Sequence, residues 1–143
     1  MSEAGKKYVL DTSAMLALMS DEQGADVVGD IIGEAKKHQA VVYISFVTLT
    51  EIYYTALRRK DEEGARKTMA LINELPLQRV YSNDTLSLSA GYIKANHKLS
   101  LADAFIAATA LDKEAVLVHK DPEFEAIISL VETIKLPLKQ RSR

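Results

Sequence analysis

The chain has no cysteine and no tryptophan. Without thiols it has no disulfide framework, no thiolate metal site and no cysteine nucleophile, so zinc-finger and dithiol redox chemistry are excluded. A surplus of basic charge is also missing. Lys and Arg number 18 against 20 Asp and Glu, a net charge of −2, which argues against a protein that coats phosphates with cations. The same balance is compatible with an enzyme that approaches phosphates through a metal held by carboxylates. Nor is there a long apolar run at the start: Met1-Ser-Glu-Ala-Gly-Lys-Lys7 leads into a short hydrophobic stretch broken by Asp11. That is neither a signal peptide nor a membrane span, and a cytoplasmic location is expected.

What is present is a soluble globular composition, 48% hydrophobic and 27% charged over 143 residues. Such a length fits one domain able to bury roughly 68–70% of its unfolded surface. We take residues 1–143 as that domain, with 1–6 and 138–143 as flexible ends. Short apolar runs alternate with helical patterns. Tyr8–Leu10 reads as a buried strand followed at once by a helix from near Ser13 through Leu18, and Ala25–Lys37 carries Val27, Val28, Ile31, Ile32 and Ala35 at helical spacing. Ala40–Phe46 is a continuous β-branched run, as expected of a parallel strand covered on both faces. Val47–Lys60 then reads as a helix with Thr48 placed to cap it.

Further along, Asp61–Glu74 is helical and stopped at Pro76, Leu77–Tyr81 is a short strand, and Asn83 or Asp84 caps a helix from Leu86 to about Ala95. Ser100–Leu111 is a helix apolar nearly all round, hence buried. Ala115–Val118 is a strand, Asp121-Pro122 opens a short helix over Phe124–Ile128, and Leu130–Leu136 is a last strand before the basic tail Lys139–Arg143. This alternation, without hairpin signals, predicts an α/β fold: a three-layer α/β/α sandwich with a mostly parallel central sheet of four to five strands. Function in such sheets sits beyond the carboxyl ends of the strands.

Most of the acids lie on polar faces, but Asp11, Glu51 and Asp103 stand in the three most apolar segments. Asp11 is the only charge between Lys7 and Asp21, and Asp103 the only one between Lys98 and Asp112. An unpartnered carboxylate in such surroundings is expensive, so each needs a hydrogen-bond, cationic or metal partner. Capping is one answer. Asp11 fits an N-cap, and Thr48-x-x-Glu51 and Ser100-x-x-Asp103 both fit a capping box or its acidic variant. The other answer is convergence, because Asp11, Glu51, Asp103 and Asp121 all lie at strand ends or helix starts. Clustered carboxylates repel unless a cation neutralises them, and hard oxygen donors suit Mg²⁺ or Mn²⁺.

These residues resemble the PIN domain, and within it the VapC-type toxin ribonucleases. The resemblance rests on Val-Leu-Asp11-Thr-Ser-Ala, Thr50-Glu51, Ser100-Leu-Ala-Asp103-Ala-Phe-Ile-Ala-Ala-Thr-Ala and Asp121-x-x-Phe124 in that order, covering nearly the whole chain. It implies a metal-dependent endoribonuclease, the toxin of a type II toxin-antitoxin pair, with Asp11, Glu51, Asp103 and Asp121 as catalytic and metal-binding acids. Thr12 and Ser13 match the polar residues after the first acid and are supporting candidates. Where the family often has Thr two residues before the fourth acid, this chain has His119, which either supplies a hydrogen bond to the site or merely ends a strand. By the same resemblance a homodimer, an RNA substrate and a small inhibitory antitoxin partner are expected. Arg58, Arg59, Lys60 and the tail are candidate RNA contacts; helix-dipole complementation and a solubilising end are their simpler roles. A phosphotransferase of the haloacid-dehalogenase type wants a second Asp at position 13, which is Ser. A non-catalytic PIN-like adaptor or RNA-binding module is the remaining alternative.

Overall fold

The computed structural model describes residues 5–137. The basic tail and the expected flexible end at 138–143 therefore lie outside the described residues. Five strands, β1 Lys6–Leu10, β2 Ala40–Ser45, β3 Gln78–Val80, β4 Val116–His119 and β5 Thr133–Lys135, form one sheet in the order β3-β2-β1-β4-β5. Every pairing is parallel, as the unbroken apolar runs imply. Lys6, expected within a flexible end, is the first residue of β1 and stands in register with Ala40. Six helices accompany the sheet: α1 Thr12–Met19, α2 Ala25–Lys36, α3 Phe46–Arg59, α4 Glu62–Asn73, α5 Asp84–Asn96 and α6 Leu101–Lys113. A 3-10 turn, Pro122–Ile127, links β4 to β5.

Alternation along β1 sorts its side chains between two cores. Tyr8 and Leu10 face α1 and α2, packing with Met15, Val28, Ile32, Ile52 and Ile72. Val9 faces the opposite side with Leu86, Ala90 and Ile93 of α5, Ile106 and Ala107 of α6, and Phe124. The result is helices on both faces of a central sheet, the three layers predicted. The many alanines of α6 explain its position: Ala104, Ala107, Ala108 and Ala110 are all buried, so its backbone can lie close to the sheet.

From β1 the chain steps outward to β2 and β3, then returns to the other side of β1 for β4 and β5. Strand order therefore reverses between β1 and β4, opening a crevice at their carboxyl ends. The backbone tightens that junction, since Asp11 N–H donates to the Val118 carbonyl at 3.1 Å.

One expected cap is corrected. Helix α3 begins at Phe46 and is capped by Ser45, whose Oγ accepts from Val47 N–H, and not by Thr48. The strand runs straight into the helix with no loop, so the last strand residue serves as the cap. Thr48 is instead fully buried inside the first turn, and Glu51 lies too far along α3 to return to the cap residue. The Thr48-x-x-Glu51 capping box does not form, which leaves the Glu51 carboxylate free for other partners.

Candidate functional site

Asp11, Asp103 and Asp121 are delivered to the crevice by strand ends or helix starts, and Glu51 by the second turn of α3. Asp11 follows β1 and caps α1: its Oδ1 accepts from Ala14 N–H at 2.7 Å. Both of its oxygens also lie within 2.8 Å of Ser13 Oγ. The same Ser13 oxygen accepts from Lys120 N–H at 2.8 Å, so one hydroxyl ties the end of β1 to the end of β4. Only 2% of Asp11 is exposed. Burial outweighs the hydrogen bonds from Ser13 and Ala14, and its carboxyl is pushed up to about 7.

Glu51 reaches the crevice from α3, where Thr12 Oγ1 donates to its Oε1 and stands 3.3 Å from Thr48 Oγ1. Asp103 comes from the first turn of α6. Ser100 Oγ accepts the Asp103 N–H at 3.1 Å, one arm of a capping box. The other arm is not made by Asp103: the Ser100 N–H donates to Glu123 Oε1 at 3.1 Å. The Asp103 side chain is thus left to the cleft, where burial, and after it hydrogen bonding with Glu123 and the charge of Asp121, push it up to about 9. Asp121 caps the 3-10 turn, its Oδ1 accepting from Glu123 N–H at 2.9 Å, with Pro122 at the first position as expected.

Asp11, Thr12, Ser13, Glu51, Asp103, Asp121 and Glu123 line one open cleft of about 350 Å³, together with Ser100, Leu16, Tyr54 and Thr55. All four sequence-predicted acids therefore meet in one place. Their spacing is uneven: carboxylate oxygens of Asp103, Asp121 and Glu123 lie within 4.8 Å of one another, and Asp11 and Glu51 line the same cleft outside that trio. Among the described residues no lysine or arginine lines the cleft. An all-oxygen donor set, without a counter-cation and with two carboxyls driven toward protonation, fits a hard divalent cation.

His119 ends β4 beneath the cleft rather than in it. It is 1% exposed, its Nδ1 lies 3.0 Å from the Asp121 carbonyl oxygen, and its ring centroid is 5.1 Å from that of Phe124. Burial holds the imidazole below its usual range. Its observed partners are the Asp121 backbone and the Phe124 ring. Of the other histidines, His38 is exposed, whereas His97 Nδ1 meets the Ala126 carbonyl oxygen at 3.1 Å.

Glu123 was missed from the sequence. It is one of three acids in Asp121-Pro-Glu-Phe-Glu125, and a six-residue 3-10 turn gives no periodicity by which to tell the one facing the site. Tyr54 and Thr55 were missed as well. Their spacing of three and four residues from Glu51 on one helix was the available signal.

Fold and cleft together define a parallel α/β protein with clustered carboxylates at its switch point. The PIN domain family model matches residues 8–129, and the chain belongs to the PIN domain family. No curated protein matches it by sequence. Among solved structures it is similar to a chain of VapBC2 from Rickettsia felis bound to a DNA fragment from its promoter, with TM-score 0.74 and 18% identity over 92% of this chain and 99% of that one. DNA-bound VapBC from Salmonella typhimurium gives TM-score 0.73 and 19% identity, covering 91% and 98%. VapC20 from Mycobacterium tuberculosis, described as a sarcin-ricin loop cleaving toxin, gives 0.66 and 18%, covering 83% and 93%. At these identities the likeness is one of fold.

Proposed function

We propose that this protein is a metal-dependent endoribonuclease that hydrolyses RNA phosphodiester bonds, and that it is the toxin of a type II toxin-antitoxin pair. The observation that carries the reading is the cleft at the carboxyl ends of β1 and β4, where five acids gather and, among the described residues, no cation joins the lining. Asp11, Glu51, Asp103 and Asp121 are the proposed ligands of Mg²⁺ or Mn²⁺. When bound, such an ion lowers the pKa of a coordinated water and neutralises charge on the attacked phosphate.

The remaining tasks fall to the chain. Ser13 fixes Asp11 and, through Lys120, keeps the two strand ends together. Thr12 orients Glu51. To hold such an ion the Asp103 carboxyl would have to be ionised, because a ligating carboxylate is deprotonated. Of the three cations at the end of α3, Arg58 is the favoured RNA contact. It lies 4.9 Å above the ring of Tyr54, which itself lines the cleft, whereas Lys60 Nζ meets Thr68 Oγ1 at 3.2 Å and Arg59 borders a separate groove. Glu51, Tyr54 and Arg58 succeed one another at helical spacing, so Arg58 is about 10 Å along the axis from Glu51.

A small antitoxin and a second copy of the chain are the proposed protein partners, the antitoxin because the fold is shared with chains of VapBC complexes. Among the described residues no helix is long and apolar enough to cross a membrane, in keeping with the cytoplasmic site of action that this function requires. The test is cleavage of RNA with Mg²⁺ or Mn²⁺, by the wild type and by Asp11→Ala and Asp103→Ala. Cleavage that is abolished by EDTA and lost in both variants is expected. Undiminished activity in both variants contradicts the assignment, and a wild type inert to RNA and insensitive to Mn²⁺ in a thermal melt favours a non-catalytic adaptor.

A further inference from the structure

We infer that Glu123 is a positioning residue that completes the N-terminal cap of α6 from another part of the chain and thereby frees Asp103 to hold the metal. This inference rests on the metal-dependent reading above. A helix starting Ser-x-x-Asp ordinarily satisfies two orphan donors reciprocally: the serine oxygen takes the N–H of the acid, and the acid takes the N–H of the serine. Here the first bond is present, Asp103 N–H to Ser100 Oγ at 3.1 Å, but the Ser100 N–H goes to Glu123 Oε1 at 3.1 Å, across 23 positions of sequence.

If Asp103 made that second bond, one of its oxygens would be engaged at the helix end. With Glu123 in its stead, neither Asp103 oxygen is tied to the helix end, and the Asp103 carboxyl meets the Glu123 and Asp121 side chains inside the cleft. The substitute is itself held in place, because Pro122 and the bond from Glu123 N–H to Asp121 Oδ1 fix the turn that carries it. The Ser13 bond to Lys120 N–H anchors the segment leading into that turn to the start of α1. A neutral acceptor at position 123 suffices for this task, and that separates positioning from direct ligation.

The test uses the full chain with Glu123→Gln and Glu123→Ala, with Mn²⁺ binding measured by calorimetry in the absence of RNA and amide exchange measured over Ser100–Asp103. Glu123→Gln keeps an acceptor oxygen and is expected to bind Mn²⁺ within about twofold of wild type, with unchanged exchange. Glu123→Ala is expected to weaken binding by roughly 10- to 100-fold, the range for loss of a group that orients a ligand, and to speed exchange at Ser100. Glutamine as damaging as alanine overturns the inference and makes Glu123 a direct ligand; alanine equal to wild type overturns it outright. A wild type that binds no Mn²⁺ overturns the metal reading together with the role of freeing a ligand, while exchange at Ser100 still reports whether Glu123 caps α6.

Discussion

The sheet has an opening at each end, and the two differ more in charge than in size. The larger, about 520 Å³, lies at the amino ends of β1, β4 and β5 and is lined by Lys6, Lys7, Glu114 and Glu132 beside Gly5, Tyr8, Val116 and Ile134. Two cations face two anions there, so the cleft is balanced without help. The smaller, about 350 Å³, lies at the carboxyl ends and gathers Asp11, Glu51, Asp103, Asp121 and Glu123 with no cation among the described residues. Parallel topology accounts for the contrast. Loops leaving the carboxyl ends start the next helices, and helix starts recruit acids as caps, as Asp11 and Asp121 do. Volume points to the amino end; uncompensated charge points to the carboxyl end, where the metal site is proposed.

Neutralising the acidic end should have the largest effect. Asp11→Asn and Asp103→Asn are expected to lower metal-dependent RNA cleavage by more than the roughly 10- to 100-fold that loss of an outer-shell partner costs. Stability in denaturant titrations without metal should be equal or higher, because a buried carboxyl that resists ionisation is removed and asparagine keeps a capping oxygen at position 11. Marked destabilisation of both variants would mean that these acids serve the fold alone.

Acidity comes next. Asp11 at about 7 and Asp103 at about 9 both lie above their unfolded values. Between about pH 4 and pH 9 the metal-free folded chain therefore binds more protons than the unfolded chain, and its stability falls as pH rises. Mn²⁺ must displace the Asp103 proton, so its affinity should climb about tenfold per pH unit from 7 to 9. Calorimetry in buffers of different ionisation enthalpy measures the released proton, and a pH-independent affinity would break the contrast between the two ends.

A smaller effect is expected at the tie between the strands. Ser13→Ala leaves the Lys120 N–H without its acceptor and should cost about 1–3 kcal/mol in urea unfolding, with Mn²⁺ affinity also reduced. The smallest effect belongs to the balanced end. Glu114→Gln with Glu132→Gln should leave cleavage within about twofold of wild type, because neither residue lines the acidic cleft; a large loss would mean that the opposite end takes part after all.

Much of this was legible in the residues. The unbroken runs at Tyr8–Leu10 and Ala40–Phe46 announced strands buried on both faces, the second ending one residue sooner, at Ser45, and lone acids in apolar surroundings singled out Asp11 and Asp103. Strand order was not legible, because nothing local distinguishes β4 beside β1 from β4 beyond β3. The start of α3 was misassigned because Ser45 and Thr48 are both good caps, and only the direct passage from strand to helix selects the first. The last strand is three residues, Thr133–Lys135, where seven were expected; Leu130 lies in a turn on the Ile127 carbonyl, while Leu136 packs in the core and donates its N–H to the His119 carbonyl at 2.7 Å. Glu123 escaped because its partner, the Ser100 N–H, belongs to a distant segment.

The most direct measurement is calorimetric titration of Mn²⁺ into the metal-free wild type and Asp103→Asn at pH 8. Saturable binding with proton release in the wild type, and none in the variant, is the predicted result. Equal binding in both would contradict the claim that the carboxyl-end cleft holds the metal.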